Sequence, residues 1–118
     1  MQPAATAAKD YVEAMNAGDI EKMMSLFAPG AVLRHPSGVY ADRDATRSFF
    51  IDIAFGNAAR LERVDLVAQA STAWLEVEAT SAVTAGRQRV VDVIRVDGEG
   101  RITDLGVYSG NTVPGSEG

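Results

Sequence analysis

The spacing of apolar residues changes from helical to strand-like after about residue 54, and this order constrains the fold more than any other feature. Three segments before that point have helical spacing: residues 4–15, 20–27 and 42–54. Four runs after it are rich in β-branched residues and separated by short turns: residues 59–69, 72–83, 87–96 and 101–109. Helices followed by consecutive strands predict an α+β fold, with three helices packed on one face of a curved, mostly antiparallel sheet.

Polar and turn-forming residues mark the ends of the predicted helices. Asp19, in "NAGD", and Asp42 are placed to cap the second and third helices. Pro29-Gly30 is expected to end the second helix, because proline cannot continue a helical hydrogen-bond ladder. A short first strand, "AVLRH", is then predicted at residues 31–35.

The chain is expected to fold as one domain. Its 118 residues, 47% of them hydrophobic, provide for a single core, and we expect a domain at residues 1–110 with a flexible tail at 111–118. No apolar run approaches the roughly 20 residues that cross a bilayer. The first residues also lack the basic and apolar regions of a secretory signal. The expected location is therefore the cytoplasm, away from the membrane.

Composition also limits the classes of ligand that we expect the chain to bind. The chain has no cysteine, which excludes a thiolate zinc site, and it has one histidine. Neither a metal nor an organic cofactor is expected. The net charge is −5, and the arginines are interspersed with acidic residues. Nucleic acid is not an expected partner, because its affinity for proteins comes largely from clustered Lys and Arg.

An acidic residue interrupts the pattern of the third strand-like run, "RQRVVDVIRV". Asp92 shares a face with Val90, Ile94 and Val96. If that face is the core, burial without a cation raises the pKa of the carboxyl group, which then stays protonated and donates a hydrogen bond. Both faces contain valines, so the pattern leaves open whether Asp92 points to the core or to solvent.

Two long segments resemble proteins of the NTF2-like superfamily. "YVEAMNAGDIEKMMSLFAPGAVLRHPSG", residues 11–38, is similar to their opening, and "VVDVIRVDGEGRITDLGVYSG", residues 90–110, is similar to their last hairpin. The middle, residues 39–85, matches mainly in the order of its elements. The resemblance implies a cone in which three helices and a curved sheet enclose a deep apolar pocket.

Three positions resemble the site of the bacterial ketosteroid isomerases within that superfamily. Tyr11 stands where they have a catalytic tyrosine, a few residues before "NAGD", and Asp92 begins their Asp-x-x-Arg-x-x-Gly run. His35 stands where they have a general base, an aspartate that directly precedes a proline. The resemblance implies that Tyr11 and protonated Asp92 hold a carbonyl oxygen while His35 removes the neighbouring proton. With a reference pKa of about 6.5, a neutral imidazole is a competent base near neutral pH.

The reaction implied by this resemblance is a double-bond shift in a small apolar ketone, such as a steroid or polyketide-like molecule. The proton would be removed, a dienolate would be held by the Tyr and Asp oxyanion hole, and the proton would return at another carbon. The side chains expected to line the pocket are Met15, Phe27, Leu33, Phe49, Phe50, Ile94, Leu105, Val107 and Ser109.

Two alternative functions stay open at this point. The same three residues could begin an aldol-type cyclisation, as in SnoaL-like polyketide cyclases, because both reactions start by removing a proton next to a carbonyl. The domain could also bind a ligand or a partner without catalysis, since a fold does not determine a function.

A homodimer is the expected assembly. Trp74, Glu76 and Glu78 alternate onto one face of their strand. If this face is the exterior of the sheet, Trp74 indicates a partner surface, and related proteins commonly dimerise through the sheet.

Overall fold

The computed structural model describes residues 3–116 and has the predicted order of elements, with one additional short strand, Gly38–Tyr40, that the sequence analysis did not predict. Its helices are α1 (Pro3–Ala17), α2 (Ile20–Ser25) and α3 (Arg43–Ser48), and α3 continues into a π-helical turn (Phe49–Ala54) and a 3₁₀ turn (Phe55–Asn57). Its strands are β1 (Phe27–His35), β2 (Gly38–Tyr40), β3 (Arg60–Gln69), β4 (Thr72–Thr80), β5 (Gln88–Val96) and β6 (Ile102–Thr112).

The six strands form one sheet in the order β2-β1-β6-β5-β4-β3. Strands β1 and β6 are parallel, and every other neighbouring pair is antiparallel. Helix α1 packs against β3, β4 and β5, and its buried residues include Ala4, Ala8 and Tyr11 at helical spacing. The predicted α+β architecture, with helices on one face of a mostly antiparallel sheet, is therefore confirmed.

Local chemistry sets the end of α1 and the starts of α2 and α3 as predicted. Gly18, at φ 62°, has the left-handed conformation that ends α1. The Asp19 carboxylate accepts a hydrogen bond from the backbone N–H of Lys22 at 3.1 Å, and Asp42 accepts one from Ala45 at 2.8 Å. Each aspartate thus satisfies an N–H group that has no partner within its helix.

The second helix is shorter than predicted, and the first strand is longer. Helix α2 ends at Ser25, and β1 begins at Phe27, which pairs with Ile102 of β6. The register of β1 against β6 shifts between Phe27 and Val32, and Pro29-Gly30 lies in this irregular stretch. Proline has no N–H to donate to a ladder, so a sheet tolerates it where pairing is interrupted.

The last strand continues into the segment predicted to be a flexible tail. Strand β6 ends at Thr112, whose hydroxyl accepts a hydrogen bond from the Gln88 side chain at 2.8 Å. Beyond it, the Ser116 hydroxyl accepts one from the backbone N–H of Arg87 at 2.9 Å. Thr112 pairs with Gln88 in the ladder, and the Val113 N–H donates to the Arg87 carbonyl at 2.8 Å, so paired backbone extends three residues past the predicted boundary at 110. Residues 117–118 of the predicted tail lie outside the described part.

No helix within residues 3–116 is long and apolar enough to cross a membrane.

Candidate active site

A cavity of about 270 Å³ lies between α1, the π-helical turn and the inner face of the sheet. Its walls are mostly apolar, as is usual for sites that bind small organic molecules. Tyr11, His35 and Asp92, the three predicted catalytic side chains, all line it. The fold thus brings together residues that are 24 and 57 positions apart in the sequence.

Asp92 is the buried acid of the cavity. It lies in the middle of β5, between Leu75 of β4 and Val107 of β6, and only 2% of it is exposed. Burial raises the pKa of its carboxyl group from 3.8 to about 7. Within residues 3–116 it forms neither an ion pair nor a hydrogen bond through its side chain. The structure therefore places Asp92 on the core face, and near neutral pH its carboxyl group exists in both protonation states.

Tyr11 reaches the cavity from α1. It is 4% exposed, and its ring meets Phe50 edge-on with centroids 6.4 Å apart. Burial, and secondarily the negative charge of Asp92, raise the pKa of its hydroxyl well above 10. The Tyr11 hydroxyl is a permanent hydrogen-bond donor near neutral pH, and no other described residue takes that bond. A ligand oxygen in the cavity could therefore accept it.

His35 ends β1 at the side of the cavity, with its ring centroid 4.8 Å from that of Phe49. Its Nδ1 accepts a hydrogen bond from the backbone N–H of Ser37 at 3.0 Å and lies 2.8 Å from the Ser37 hydroxyl. That hydroxyl is in turn 2.8 Å from the hydroxyl of Tyr40. Partial burial lowers the pKa of the imidazole, so His35 is neutral near pH 7.

Four of the predicted pocket residues line the cavity, namely Met15, Phe49, Val107 and Ser109. The structure corrects the assignment of the other five, which pack in the core without reaching the cavity: Phe27, Leu33, Phe50, Ile94 and Leu105. Each of them is 3% exposed or less. Strand alternation and helical spacing identify the inward face of an element, but they do not tell how far along that face the packed core ends and the cavity begins.

Sequence patterns missed the polar rim of the cavity. This rim comes from the 3₁₀ turn, the end of β4, the following loop and the start of β5, and its polar residues are Asn57, Thr80, Ser81, Thr84 and Gln88. Loop residues have no periodicity that could assign them to a face. In the backbone, the π-helical turn indicates a functional site, because such turns are frequent there. It contributes Phe49, Ile53 and Ala54 to the cavity wall.

In the part of the chain that the structure describes, no three acidic or histidine side chains are grouped so that they could hold a metal ion. The titratable side chains that line the cavity, among the described residues, are one phenol (Tyr11), one imidazole (His35) and one carboxyl group (Asp92).

Comparisons with known proteins agree with this fold. A family model described as a SnoaL-like domain matches residues 8–105. A candidate polyketide cyclase from Sinorhizobium meliloti is 14% identical, with a TM-score of 0.80, and the match covers 87% of this chain and 94% of that one. A candidate ketosteroid isomerase from Kribbella flavida is 17% identical, with a TM-score of 0.81 and coverage of 98% and 84%.

A third similar structure, a Mycobacterium tuberculosis protein in complex with estradiol-17beta-hemisuccinate, is 18% identical. Its TM-score is 0.81, and the match covers 92% of this chain and 94% of that one. No curated protein matches the sequence. At these identities the likeness shows the fold, and the NTF2-like architecture predicted from the sequence is confirmed.

Proposed function

The chain belongs to the SnoaL-like domain family, and from this premise and the chemistry of its cavity we propose that the protein is an enzyme that shifts a double bond in a small apolar ketone. The observation that carries the proposal is the pairing of Tyr11 and Asp92, two buried side chains that line one apolar cavity without a hydrogen-bond partner among the described residues. Strongly shifted pKa values at a cavity are typical of functional sites.

The proposed reaction begins when the carbonyl oxygen of the substrate accepts a hydrogen bond from the Tyr11 hydroxyl and a second from a neighbouring donor. A group in the cavity then removes a proton from the carbon next to the carbonyl, and the electron pair of that C–H bond moves to form the dienolate. The same group returns the proton at another carbon. One such donor typically contributes about 10²–10³ to the rate, and the base about 10²–10⁴.

Two cavity residues have the chemistry to accept that proton. His35, the base predicted from the sequence, is neutral near pH 7 because its pKa is lowered. Asp92, with a pKa of about 7, is partly ionised at the same pH. If His35 is the base, protonated Asp92 is the second donor to the carbonyl oxygen, as the resemblance to ketosteroid isomerases implies.

The direct test follows the absorbance change when a β,γ-unsaturated 3-ketosteroid becomes conjugated. We expect turnover by the wild type and a decrease of about 10²–10³ in kcat for Tyr11→Phe, which removes one hydroxyl and keeps the ring. Tyr108→Phe is the matched control, because Tyr108 is 58% exposed and does not line the cavity. Absence of turnover by the wild type would refute the isomerase proposal, and equal activity of the two variants would refute the role of Tyr11.

An aldol-type cyclase is the second candidate function. It is favoured by the SnoaL-like family match and by the pKa of Asp92, which suits a residue that both accepts and donates a proton near neutral pH. The discriminating experiment supplies a linear poly-β-ketone model compound and identifies the product by mass spectrometry and NMR. A ring-closed isomer that forms faster with the wild type than with Asp92→Asn would support the cyclase.

Ligand binding without chemistry is the remaining alternative. Calorimetric titration with a conjugated 3-ketosteroid measures binding independently of turnover. Binding that weakens in Tyr11→Phe, together with failure of both activity assays, would assign the cavity to a binding protein.

We also propose a cytoplasmic homodimer. On the outer face of the sheet, Trp74 is 40% exposed and lies between Val67 of β3 and Val93 of β5, which are its neighbours in the ladder. Tyr108 of β6, the strand on the other side of β5, is also exposed, so the apolar surface extends from β4 to β6. Sedimentation equilibrium tests the dimer: the wild type is expected at twice the mass of the chain, and Trp74→Arg at a lower average mass. A monomeric wild type would contradict the proposal.

A further inference from the structure

The turn after β1 holds the His35 imidazole by one particular ring nitrogen. The backbone N–H of Ser37 donates a hydrogen bond to Nδ1 at 3.0 Å, and the Ser37 hydroxyl lies 2.8 Å from the same atom. The Tyr40 hydroxyl is 2.8 Å from the Ser37 hydroxyl, so it can donate to that oxygen and leave the Ser37 proton for the ring. The Ser37 N–H is thus the donor that defines Nδ1 as an acceptor. The Ser37 hydroxyl can share the same lone pair when Tyr40 donates to the Ser37 oxygen.

This arrangement determines where the imidazole has its proton. An N–H group donates only to a lone pair, so the Nδ1 that accepts from Ser37 has no proton, and a neutral ring then has its proton on Nε2. A base that works through Nε2 needs the opposite tautomer. In that tautomer the Nδ1 proton would face the Ser37 N–H, which would lose its acceptor, and this loss disfavours the tautomer by roughly tenfold or more.

We infer that His35 acts in the cavity as a hydrogen-bond donor through Nε2–H, held in that form by Ser37, and not as the group that removes the proton. This inference rests on the proposed function and assigns the roles within it. Ser37 is then a positioning residue, and among the described residues that line the cavity Asp92 is the one left with a carboxylate that can take a proton.

The proton balance of the reaction closes with these roles. The Asp92 carboxylate takes the proton from the carbon next to the carbonyl, and the electron pair of the broken C–H bond forms the carbon–carbon double bond of the enolate. The negative charge moves to oxygen, where Tyr11 O–H and His35 Nε2–H can donate to it. The protonated Asp92 returns the proton at the second carbon, so no other reactant is consumed.

The position of the imidazole proton can be measured directly, because His35 is the only histidine of the chain. In uniformly ¹⁵N-labelled protein at pH 7.5, two-bond ¹H–¹⁵N correlation should show one imidazole with Nε2 protonated and Nδ1 unprotonated. Ser37→Ala should shift the Nδ1 resonance while keeping the same tautomer, because it removes the hydroxyl and retains the backbone N–H. A ring with its proton mainly on Nδ1 would overturn the inference.

Kinetics of three variants separate a donor from a base. The amide of His35→Gln can donate from about the place of Nε2 but cannot accept the proton, whereas His35→Leu can do neither. We expect His35→Gln to retain kcat within about tenfold, and His35→Leu to lose about 10²–10³. Asp92→Asn, which keeps a donor but no base, should lose about 10²–10⁴. Equal large losses in the two His35 variants would show that His35 is the base.

The inference can fail separately from the proposed function. If the wild type does not turn over the ketosteroid, the isomerase proposal fails, and binding of the conjugated 3-ketosteroid decides the role of His35. Affinity close to that of the wild type for His35→Gln, with about tenfold weaker binding by His35→Leu, would support a donor. Equal affinity of the two variants would refute it.

Discussion

Strand β5 presents charged side chains on both of its faces, and their surroundings differ. On the outer face Arg89 donates hydrogen bonds to Glu76 at 2.8 Å and to Glu78 at 3.1 Å. On the inner face Asp92 has an apolar cavity in front of it, and its side chain forms no ion pair or hydrogen bond within residues 3–116. A charge that serves the fold is paired, whereas an acid left unpaired inside a cavity costs stability and is therefore a candidate for function.

Of the substitutions that test the difference between the two faces, introducing a second acid beside Asp92 should lower stability most. Leu75→Asp places a carboxyl group at the neighbouring inner position, removes a fully buried side chain and leaves a polar group unsatisfied. We expect it to lower the free energy of unfolding by about 5 kcal/mol or more. Glu76→Asp, one residue away on the outer face, is the control and should cost much less, because it keeps a carboxylate near Arg89. Urea denaturation followed by circular dichroism measures both, and similar losses would contradict the assignment of the faces.

The pH dependence of stability should show the next largest effect. Between pH 4 and 7 folded Asp92 holds a proton that the unfolded chain has lost, because its pKa is about 7 in the folded protein and 3.8 ordinarily. The contribution of Asp92 to the free energy of unfolding is therefore fully present at low pH. It decreases as the pH rises toward 7, by about 4 kcal/mol at most. Urea denaturation of the wild type and Asp92→Asn across this range tests it. Equal pH dependence in the two proteins would mean that the carboxyl group is not buried in solution.

Removing the unpaired acid should increase stability at the expense of activity. Asp92→Leu replaces a buried carboxyl group by an apolar side chain, and at pH 8 we expect the free energy of unfolding to rise by about 1–3 kcal/mol. Turnover should be lost in the same variant. The outer-face counterpart, Glu78→Leu, should slightly lower the melting temperature, because Arg87 loses its ion pair with Glu78 and Arg89 keeps only the one with Glu76. A destabilised Asp92→Leu would indicate that the carboxyl group has a structural partner.

The smallest effect is expected on the outer face. Arg89→Met removes ion pairs with Glu76 and Glu78 that are accessible to solvent and salt. We expect a small decrease in melting temperature at low ionic strength, which becomes smaller at 1 M salt, and unchanged turnover. A salt-independent loss of stability would show that the aliphatic part of Arg89 matters more than its charge.

Most of the architecture could be predicted, because helices and strands have periodic patterns within short segments. Asp19 and Asp42 capped the expected helices, and the four later strands lie close to their predicted ranges. The start of β1 at Phe27 could not be predicted, since it depends on pairing with Ile102, 75 residues later. The same holds for the end of β6, where Gln88 and Thr112 pair.

The site was predictable only in part, for a related reason. The resemblance to known enzymes pointed to Tyr11, His35 and Asp92, and all three line one cavity. The depth of that cavity depends on how side chains from distant segments fill the cone. Phe50, for example, packs against Tyr11 and Phe27 and occupies space that was expected to remain for a ligand.

The amino-acid sequence by itself determined the type and order of the elements, the inward faces of the helices and the residue types available for chemistry, because these depend on near neighbours. Only the tertiary structure decided that Asp92 faces inward, since both faces of its strand have valines. It also supplied the contacts on which the proposed role of His35 rests. A histidine before a proline indicates a base by resemblance, but the position of its proton depends on Ser37 and Tyr40, which the folded turn brings within hydrogen-bond distance.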